Sequence, residues 1–495
     1  MAQSIFVFSL TACGQSSIDG KSGNQFLAEQ PELSNFSFLT VNNPELSDDI
    51  VLSFDNNNNT FSGVIPQNTS VEKLIATFQF SGSSVEVSGI VQTSGNTEND
   101  FTQILNYQVF SGTDAISYAV DVTRYTGLPV IEIQTNEFLA VDSRDTYVEA
   151  ELEIEGWRYH DSNLQSNIEI RGRGHSTWDW YPKKPYQIKF DTATSVLSML
   201  EERRWILLAE YADKTMIRNK IAFELGKLSD LPWVPSSEFL ELFVNSEYQG
   251  TYHLIEKIEL SSSRIDPERS KYLLEIDQLD RLDATDPYFV SNFFLFHLKE
   301  PEITQDSAAI IEVRNIILEF EDALLNQRFL DNPETYGSLI DLNSFVDWFL
   351  INEITKNIDA GAFYSSVYLT VSVDGKIGLG PIWDFDLSMA GDYEGWWMTS
   401  SQWFELLLLD SYFVNLVKER FNHFYANKTE IINIIDRSAK YLELASKQND
   451  SKWGTIGIYV FPNPVYFETY AEEVDFLKNW ISSRMDWLQL EISEL

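Results

Sequence analysis

The sequence predicts a multidomain protein in which an all-β N-terminal region precedes an α+β region with a helical C-terminal part. The chain has 495 residues, enough for two to four folded units. Apolar and polar residues alternate over residues 85–88 and 116–123, which is the period of a half-buried strand. From residue 402 onward the apolar residues recur at helical spacing. Hydrophobic residues make up 44% and aromatic residues 14% of the chain, a composition typical of proteins with large buried cores.

Composition and motif content exclude several classes of function. The chain carries 35 Lys and Arg against 75 Asp and Glu, a formal charge of −40. Such an acidic surface repels nucleic acids and anionic lipids, so we expect no nucleic-acid partner. The single cysteine excludes an intramolecular disulfide framework and a zinc site of the multi-cysteine type. The five histidines include no pair at metal-ligand spacing on one helix, and the Gly-x-Ser-x-Gly motif of serine hydrolases is absent.

The first 32 residues are expected to be a signal and a polar linker. Cys13 follows a short apolar run at residues 5–10 and precedes a polar stretch without periodicity. This arrangement resembles a bacterial lipoprotein signal, in which the cysteine receives the lipid, although residues 1–4 lack the usual Lys or Arg. The alternative is a disordered N-terminus with an incidental cysteine. On the first interpretation the protein is exported and is either secreted or held at the cell envelope by lipid at Cys13.

Residues 33–124 are expected to form a β-sandwich. Clusters of turn residues at 55–59 and 94–96 separate the alternating runs at the spacing of a sandwich. The segment resembles the small immunoglobulin-like domains of bacterial surface proteins. It contains no convergent cluster of polar residues, so we expect a spacer or adhesion module there and no catalysis.

Residues 125–495 are expected to form the α+β domain. The predicted elements are a helix over 216–228 capped by Asp213 or Thr215, a hairpin of 239–244 with 251–258, a helix over 342–355, a hairpin of 367–371 with 377–379, and a final helix over 472–492. The second hairpin turns at Asp374-Gly375, one of the strongest short-range hairpin signals.

A basic island interrupts the acidic chain. Residues 171–220 hold ten basic and six acidic residues. The segment also contains a turn with Gly172 and Gly174, whose backbone amides could cradle an anion. The island therefore predicts a phosphate site, and the alternative is a solvated basic face.

Three carboxylates are placed by the order of the predicted elements. A helix ends, a loop offers Asp359, a hairpin returns the chain, and Asp384 with Asp386 follows directly. This route can bring Asp359 near Asp384, and phosphoryl transfer needs one carboxylate for the accepting hydroxyl and another for a metal ion. Two alternatives stay open: the carboxylates cap a turn and close a loop, or they bind a structural Ca²⁺.

Six sequence segments, in the correct order, resemble the CotH family, the spore-coat-protein-H-like kinases. They are IRGRGHSTW at 170–178, PKKPYQIKF at 182–190, GTYHLIEK at 250–257, YLLE at 272–275, PIWDFDL at 381–387 and WISSR at 480–484. The resemblance spans about residues 127–490. It implies an atypical protein-kinase-like fold and ATP-dependent phosphorylation of Ser or Thr on secreted proteins.

The same resemblance implies roles for individual residues. Asp359 matches the catalytic-loop Asp, Asp384 matches the Asp that binds Mg²⁺ or Mn²⁺, and Asp386 is a plausible helper. The other expected residues bind ATP: Lys184 or Lys189 neutralises its phosphates, and Glu256 orients a lysine. Arg171 and Arg218 either assist in binding ATP or form structural ion pairs.

Two positions depart from the family pattern. Ser366 stands where an Asn is frequent, which bears on a second metal ligand, and His175 stands where a small polar residue is usual. We therefore expect an exported protein kinase and retain two rivals. One is a non-catalytic envelope assembly or adhesion protein with the same fold, and the other is a transferase that moves a different group, such as a nucleotidyl group.

Overall fold

The computed structural model describes residues 30–66, 69–157, 163–330 and 332–495. The described residues form two compact units, one ending at Val122 and one running over Thr123–Leu495. The expected lipidation site at Cys13 lies outside the described residues. Within them, every helix is too short or too polar to cross a membrane.

The N-terminal unit consists of strands in its described part. They are β1 Glu32–Phe38, β2 Ile50–Val51, β3 Ser53–Asp55, β4 Thr60–Ile65, β5 Leu74–Ile75, β6 Thr77–Ser81, β7 Ser84–Val87, β8 Ile90–Val91, β9 Glu98–Asn99, β10 Leu105–Ser111 and β11 Asp114–Arg124. A three-stranded sheet has the order β2-β1-β6, a six-stranded sheet has the order β3-β4-β11-β10-β7-β8, and β5 pairs with β9.

An aromatic core joins the two larger sheets of this unit. The ring of Phe36 on β1 lies 5.5 Å from Phe61 on β4 and 5.0 Å from Tyr107 on β10, and all three side chains are buried. Because these rings come from different sheets, the sheets pack face to face. The predicted all-β character of this region is confirmed.

The second unit begins with a closed seven-stranded barrel. Its strands are β12 Val130–Thr135, β13 Val148–Glu155, β14 Leu164–Gly172, β15 Tyr186–Thr194, β16 Glu202–Leu208, β17 Ser237–Val244 and β18 Glu247–Glu256. The order around the barrel is β12-β13-β14-β15-β16-β18-β17, and a parallel pairing of β12 with β17 closes it. Buried side chains such as Ile133, Ile170, Trp205 and Leu254 belong to its core.

A five-stranded antiparallel sheet and several helices complete the unit. The strands are β19 Ser270–Ile276, β20 Tyr288–Val290, β21 Leu295–Glu300, β22 Val367–Ser372 and β23 Ile377–Leu379, in the order β20-β21-β19-β22-β23. The helices are α1 Ser176–Trp180, α2 Arg218–Lys227, α3 Ala308–Leu325, α4 Pro333–Leu339, α5 Leu342–Thr355, α6 Ile358–Gly361, α7 Gln402–Leu407, α8 Ser411–Ala426, α9 Lys428–Tyr441, α10 Glu443–Trp453 and α11 Tyr470–Glu494. Helix α5 is buried along almost its whole length, so it anchors the loop that follows it.

Most predicted elements of this unit are confirmed, with boundaries that shift by a few residues. Helix α5 and the β22–β23 hairpin lie where the sequence predicts them. Strand β18 begins at Glu247, earlier than predicted, because Asn245 and Ser246 both have positive φ and form a tight two-residue turn. Helix α2 begins at Arg218, whose backbone N–H donates to the Asp213 carboxylate at 2.9 Å.

Candidate active site

A polar cleft of about 450 Å³ opens in the second unit. Residues from the barrel strands β14 and β16 and from the sheet strands β19, β21 and β22 line it. Asp359, Asp384 and Asp386 all face this cleft. The three carboxylates that the order of elements singles out are therefore in one place.

The end of α5 presents Asp359. The chain leaves the helix through Lys356, which has left-handed φ and ψ, and at once starts the short helix α6. The side chain of Asn357 caps α6 by accepting the backbone N–H of Asp359 at 3.1 Å. This cap fixes the backbone position of Asp359 at the start of α6.

Two consecutive serines connect to the two main carboxylates. The hydroxyl of Ser365 donates to Asp359 at 3.3 Å, and the hydroxyl of Ser366 donates to Asp384, also at 3.3 Å. Asp384 and Ser366 have φ of 64° and 58°, a region that non-glycine residues seldom adopt. Backbone of this kind persists when its surroundings hold it, as is common at functional sites.

The three carboxyl groups of the cleft have raised pKa values. Burial, and next the charge of Asp384, raises the pKa of Asp359 to about 7. Burial also raises the pKa of Asp384, against the attraction of Arg173 and the hydrogen bond from Ser366. Burial and the nearby Asp384 raise the pKa of Asp386 well above its usual range. Burial is thus the main cause of all three shifts, and the charge of Asp384 adds to it for Asp359 and Asp386.

Glu210 is a cleft carboxylate that the sequence analysis missed. It accepts two hydrogen bonds from the Asn219 amide, at 3.0 and 3.2 Å, and lies 3.1 Å from Nδ1 of His253. Burial, with the charge of Asp213 next, raises its pKa to about 8. Burial lowers the pKa of His253 to about 3, so this histidine is neutral. The partners of Glu210 are 9 and 43 positions away, which is why no local motif marks it.

The donor set fits a divalent cation bound together with phosphate. Carboxylate oxygens are the ligands that Mg²⁺ and Mn²⁺ prefer. Within the described part of the chain, no group of three or more His, Cys, Asp or Glu side chains is placed to hold a metal ion alone. Mg²⁺ commonly takes one or two carboxylates and completes its shell with water and substrate phosphate. Asp384 and Asp386 would supply such ligands, and a cation there would relieve the repulsion between the carboxylates.

The two lysines expected to neutralise phosphates lie elsewhere. The ammonium of Lys184 donates to the carbonyl of Trp178 at 2.5 Å and lies over the ring of the same residue. The ammonium of Lys189 pairs with Glu169 at 2.5 Å, across neighbouring strands of the barrel. Neither lysine lines the cleft.

Arg171 and Glu256 form hydrogen bonds with backbone groups of other residues. Arg171 lines the cleft, but its guanidinium donates to the carbonyl of Arg144 at 2.8 Å and lies over the ring of Tyr147. Glu256 accepts the backbone N–H of Ser236 at 2.8 Å and, among the described residues, forms no ion pair with a lysine. The lysine-orienting geometry expected of Glu256 is therefore absent from the described residues.

Arg218 lies next to the metal-site loop. It is almost fully buried, donates from Nη1 to the carbonyl of Asp386 at 3.0 Å, and lies 3.5 Å from the Asp213 carboxylate. The side chain thus braces the backbone of the loop, and it does not line the cleft. This places Arg218 beside the site in a supporting position.

The sequence predicts that backbone amides of the glycine-rich turn bind an anion. In the structure, the turn instead presents the side chain of Arg173 to the cleft. The N–H of Gly172 donates to the carbonyl of Ser143 at 2.8 Å, and the N–H of Arg173 donates to the carbonyl of Pro185 at 3.1 Å. These two amides are therefore not free for an anion. Gly172 is required for packing, because a Cβ there would lie 2.3 Å from the ring of Trp178.

Comparisons with known proteins give a match to a family model and matches to solved structures. The model of the family described as "CotH kinase protein" matches residues 168–488, well over half of the chain. No curated protein matches the chain. A putative glycoside hydrolase from Bacteroides thetaiotaomicron is 13% identical, with a TM-score of 0.16, and the match covers 55% of this chain and 66% of that one. The family match, which covers well over half of the chain, shows that this chain belongs to the CotH kinase family.

Proposed function

We propose that this protein is an atypical protein kinase that transfers the γ-phosphoryl group of ATP to a Ser or Thr hydroxyl of a secreted or envelope protein. The observation that carries the proposal is the pairing of Asp359 and Asp384 on one cleft, with each carboxylate held by one of two consecutive serines. The family's designation as kinases supports the reaction class.

The carboxylates divide the chemistry of this transfer. Asp359 would orient the accepting hydroxyl and take its proton while the oxygen forms a bond to the γ-phosphorus and the bond to the β–γ bridging oxygen breaks. A carboxyl whose pKa is about 7 is well matched to that task near neutral pH. Asp384 and Asp386 would hold Mg²⁺ or Mn²⁺, which, when bound, neutralises charge on the phosphates.

The order of elements supports a protein-kinase-like arrangement. A buried helix, the loop with Asp359, the β22–β23 hairpin and the loop with Asp384 follow one another as they do in protein kinases. For residues 33–124, the two sheets packed face to face support an immunoglobulin-like spacer or adhesion module. On this proposal, residues 125–495 are the kinase domain.

Radiolabelled ATP tests the reaction. The full chain is incubated with Mg²⁺ or Mn²⁺ and ATP labelled at the α or the γ position, as wild type and as Asp384→Asn. We expect protein to acquire γ-label without α-label, and Asp384→Asn to lose it. Asp322→Asn, the same change at a largely exposed carboxylate, is the matched control.

The rival functions give different outcomes in the same experiment. Incorporation of α-label would assign a nucleotidyl transferase. If neither label enters protein in a nucleotide- and Asp384-dependent way, the kinase proposal is wrong and the non-catalytic envelope role is favoured. Because Ser366 donates to Asp384 where the family often has Asn, comparison of Ser366→Asn with wild type tests whether this position limits activity.

We further propose that the protein acts outside the cytoplasm, held by lipid at Cys13 or secreted. The signal-like arrangement at residues 5–13 supports this, and so does an acidic composition typical of proteins exposed to salt. Cell fractionation of wild type and Cys13→Ser measures it. Membrane-associated wild type with a Cys13→Ser variant released from the membrane is the expected result, and equal distributions would contradict the anchor.

A further inference from the structure

Arg173 presents a guanidinium without a hydrogen-bonding partner to the cleft. The side chain is half-buried and lies over the ring of Trp383, with 5.6 Å between the guanidinium carbon and the ring centroid. Among the described residues, its guanidinium makes no hydrogen bond and no ion pair. Trp383 immediately precedes Asp384, so the free guanidinium lies beside the carboxylate expected to bind metal.

The other Arg and Lys side chains of the cleft are already engaged. Each has a carbonyl or a carboxylate as partner: Arg144 the carbonyl of Gly174, Arg171 the carbonyl of Arg144, Arg204 and Lys257 the carboxylate of Glu259, Arg281 that of Asp277, and Lys299 that of Glu275. Arg173 is the exception within the described residues. It is the cleft cation whose guanidinium, in the part of the chain that the structure describes, has all of its N–H donors available to a ligand.

The backbone around Arg173 is fixed before any ligand binds. Its N–H donates to the carbonyl of Pro185 at 3.1 Å, and the next carbonyl, that of Gly174, accepts from Arg144 at 2.7 Å. Gly174 has a φ of 80°, and a Cβ there would meet the Thr177 hydroxyl at 2.6 Å. The turn and the Trp383 ring together hold the guanidinium in place, which lowers the entropy lost on binding.

A charged donor of this kind is complementary to phosphate. A guanidinium carries five N–H donors in a planar fork that can bind two phosphate oxygens at once. Burying a guanidinium that forms no hydrogen bonds is unfavourable, because it loses its contacts with water. The charge of the nearby Asp384 offsets part of this cost by electrostatic attraction, without a hydrogen bond. An anion that reaches both Arg173 and a cation on Asp384 would satisfy both charges.

We propose that Arg173 contacts the phosphate groups of a di- or triphosphate ligand bound beside Asp384. The identity of that ligand as ATP rests on the proposed function, whereas the phosphate contact does not. Among the basic residues of the island, this assigns the phosphate contact to Arg173 in place of Lys184 and Lys189.

Calorimetric binding to the full chain tests the assignment. The probes are pyrophosphate, ADP and adenosine, each with Mg²⁺, and the variants are Arg173→Met, Arg173→Lys and the matched control Arg437→Met, an exposed arginine on α9. We expect Arg173→Met to weaken pyrophosphate and ADP about ten-fold or more, because a charge-assisted hydrogen-bonded pair is lost. Adenosine affinity should change less than about two-fold. Arg173→Lys should be intermediate, and Arg437→Met should match wild type.

A second measurement needs no variant. Phenylglyoxal modifies accessible arginines, and peptide mapping after modification of wild type should show Arg173 protected by pyrophosphate with Mg²⁺. This covers the case in which Arg173→Met does not fold.

The outcomes separate this inference from the kinase proposal. Equal ADP and pyrophosphate affinities in wild type and Arg173→Met, or modification of Arg173 that pyrophosphate does not slow, would overturn the assignment and leave the kinase proposal standing. Pyrophosphate binding that depends on Arg173, without any transfer of γ-label, would support the assignment and overturn the kinase proposal. Wild type that binds neither pyrophosphate nor ADP would overturn both.

Discussion

The side-chain amide of Asn357 donates to the carbonyl of Trp383 at 3.3 Å, and its oxygen accepts the N–H of Asp359 at 3.1 Å. One buried side chain therefore links the loop of Asp359 to the loop of Asp384. On the other flank of Asp384, the N–H of Phe385 donates to the Asn219 side chain at 2.8 Å. The residue with the unusual φ of 64° is thus held by an asparagine on each side.

Replacing Asn357 by alanine should impair transfer more than folding. Loss of the link lets Asp359 and Asp384 move relative to each other, and misplacement by about 1 Å can lower a rate about 100-fold. We expect kcat to fall about 10- to 100-fold with a small change in KM for ATP. Steady-state transfer of γ-label measures this. Asn427→Ala removes a half-buried amide that donates to the carbonyl of His423 at the end of α8, and it should behave as wild type. A wild-type kcat in Asn357→Ala would contradict the linking role.

Removing the charge of Asp384 should stabilise the metal-free protein at alkaline pH. The pKa of Asp359 is about 7 in the fold, above its unfolded value near 4, so its contribution to stability is present at acidic pH and is lost as pH rises through 7. The Asp384 charge is part of the cause, and Asp384→Asn removes it while keeping an acceptor for the Ser366 hydroxyl.

Thermal unfolding in EDTA at pH 5 and pH 8 measures this effect. We expect the Tm of Asp384→Asn to exceed that of wild type by about 1–3 °C at pH 8 and by less at pH 5. Asp322→Asn, at an exposed carboxylate, should show no such dependence. A Tm difference that is the same at both pH values would show that the carboxylates do not repel one another in the folded protein.

Local signals predicted the elements that present the carboxylates. The apolar residues of α5 and the Asp374-Gly375 turn determine the helix and the hairpin from short-range chemistry alone. Side-chain directions were not accessible in that way. Strand alternation places Lys189 on one face of β15, but whether that face meets the cleft depends on how the barrel closes, and its side chain pairs with Glu169.

Long-range partners explain the other residues that were missed. Asn219 and Asn357 act through the backbone of residues 383–385, more than 20 positions away in each case. Arg171 lies on strand β14 and Arg173 follows the end of that strand, and their guanidinium groups contact different neighbours. No sequence pattern distinguishes two arginines that are two positions apart, because the distinction arises when the end of β14 packs beside the loop of Trp383.

The buried pair of Arg484 and Glu353 should be a major determinant of stability. Both side chains are inaccessible to solvent and pair at 2.5 Å, and Arg484 also donates to the carbonyls of Tyr393 and Gly395 at 2.7 and 2.8 Å. The pair thus connects α11 to α5 and to the segment after the Asp384 loop. Breaking a buried pair by removing one partner leaves an uncompensated charge, which costs about 3–5 kcal/mol.

Urea unfolding followed by tryptophan fluorescence measures that cost. All 13 tryptophans lie at or after Trp157, so the signal reports on the second unit. We expect Arg484→Met to lower the free energy of unfolding by about 3–5 kcal/mol, and Arg437→Met, at an exposed pair, by less than about 1 kcal/mol. Adding Glu353→Leu to Arg484→Met should restore part of the free energy of unfolding that the single variant loses. A double variant that shows the full sum of the single effects would argue against direct coupling.

Lys183 should give the second unit a measurable dependence of stability on pH. Its ammonium is buried, donates to the carbonyl of Thr251 and to Asn449 on α10, and has a pKa lowered by burial to about 7. Between that value and the unfolded value near 10.4, the unfolded chain binds the extra proton, so the free energy of unfolding rises with pH by up to about 1.4 kcal/mol per unit.

The variant Lys183→Met lacks this pH-dependent contribution to the free energy of unfolding. Urea unfolding followed by fluorescence at pH 7 and pH 9 measures this effect. Between these two pH values, the free energy of unfolding of wild type should rise by about 2 kcal/mol relative to Lys183→Met. It should not rise relative to the exposed Lys440→Met. A difference that does not change with pH would mean that Lys183 stays charged in the fold.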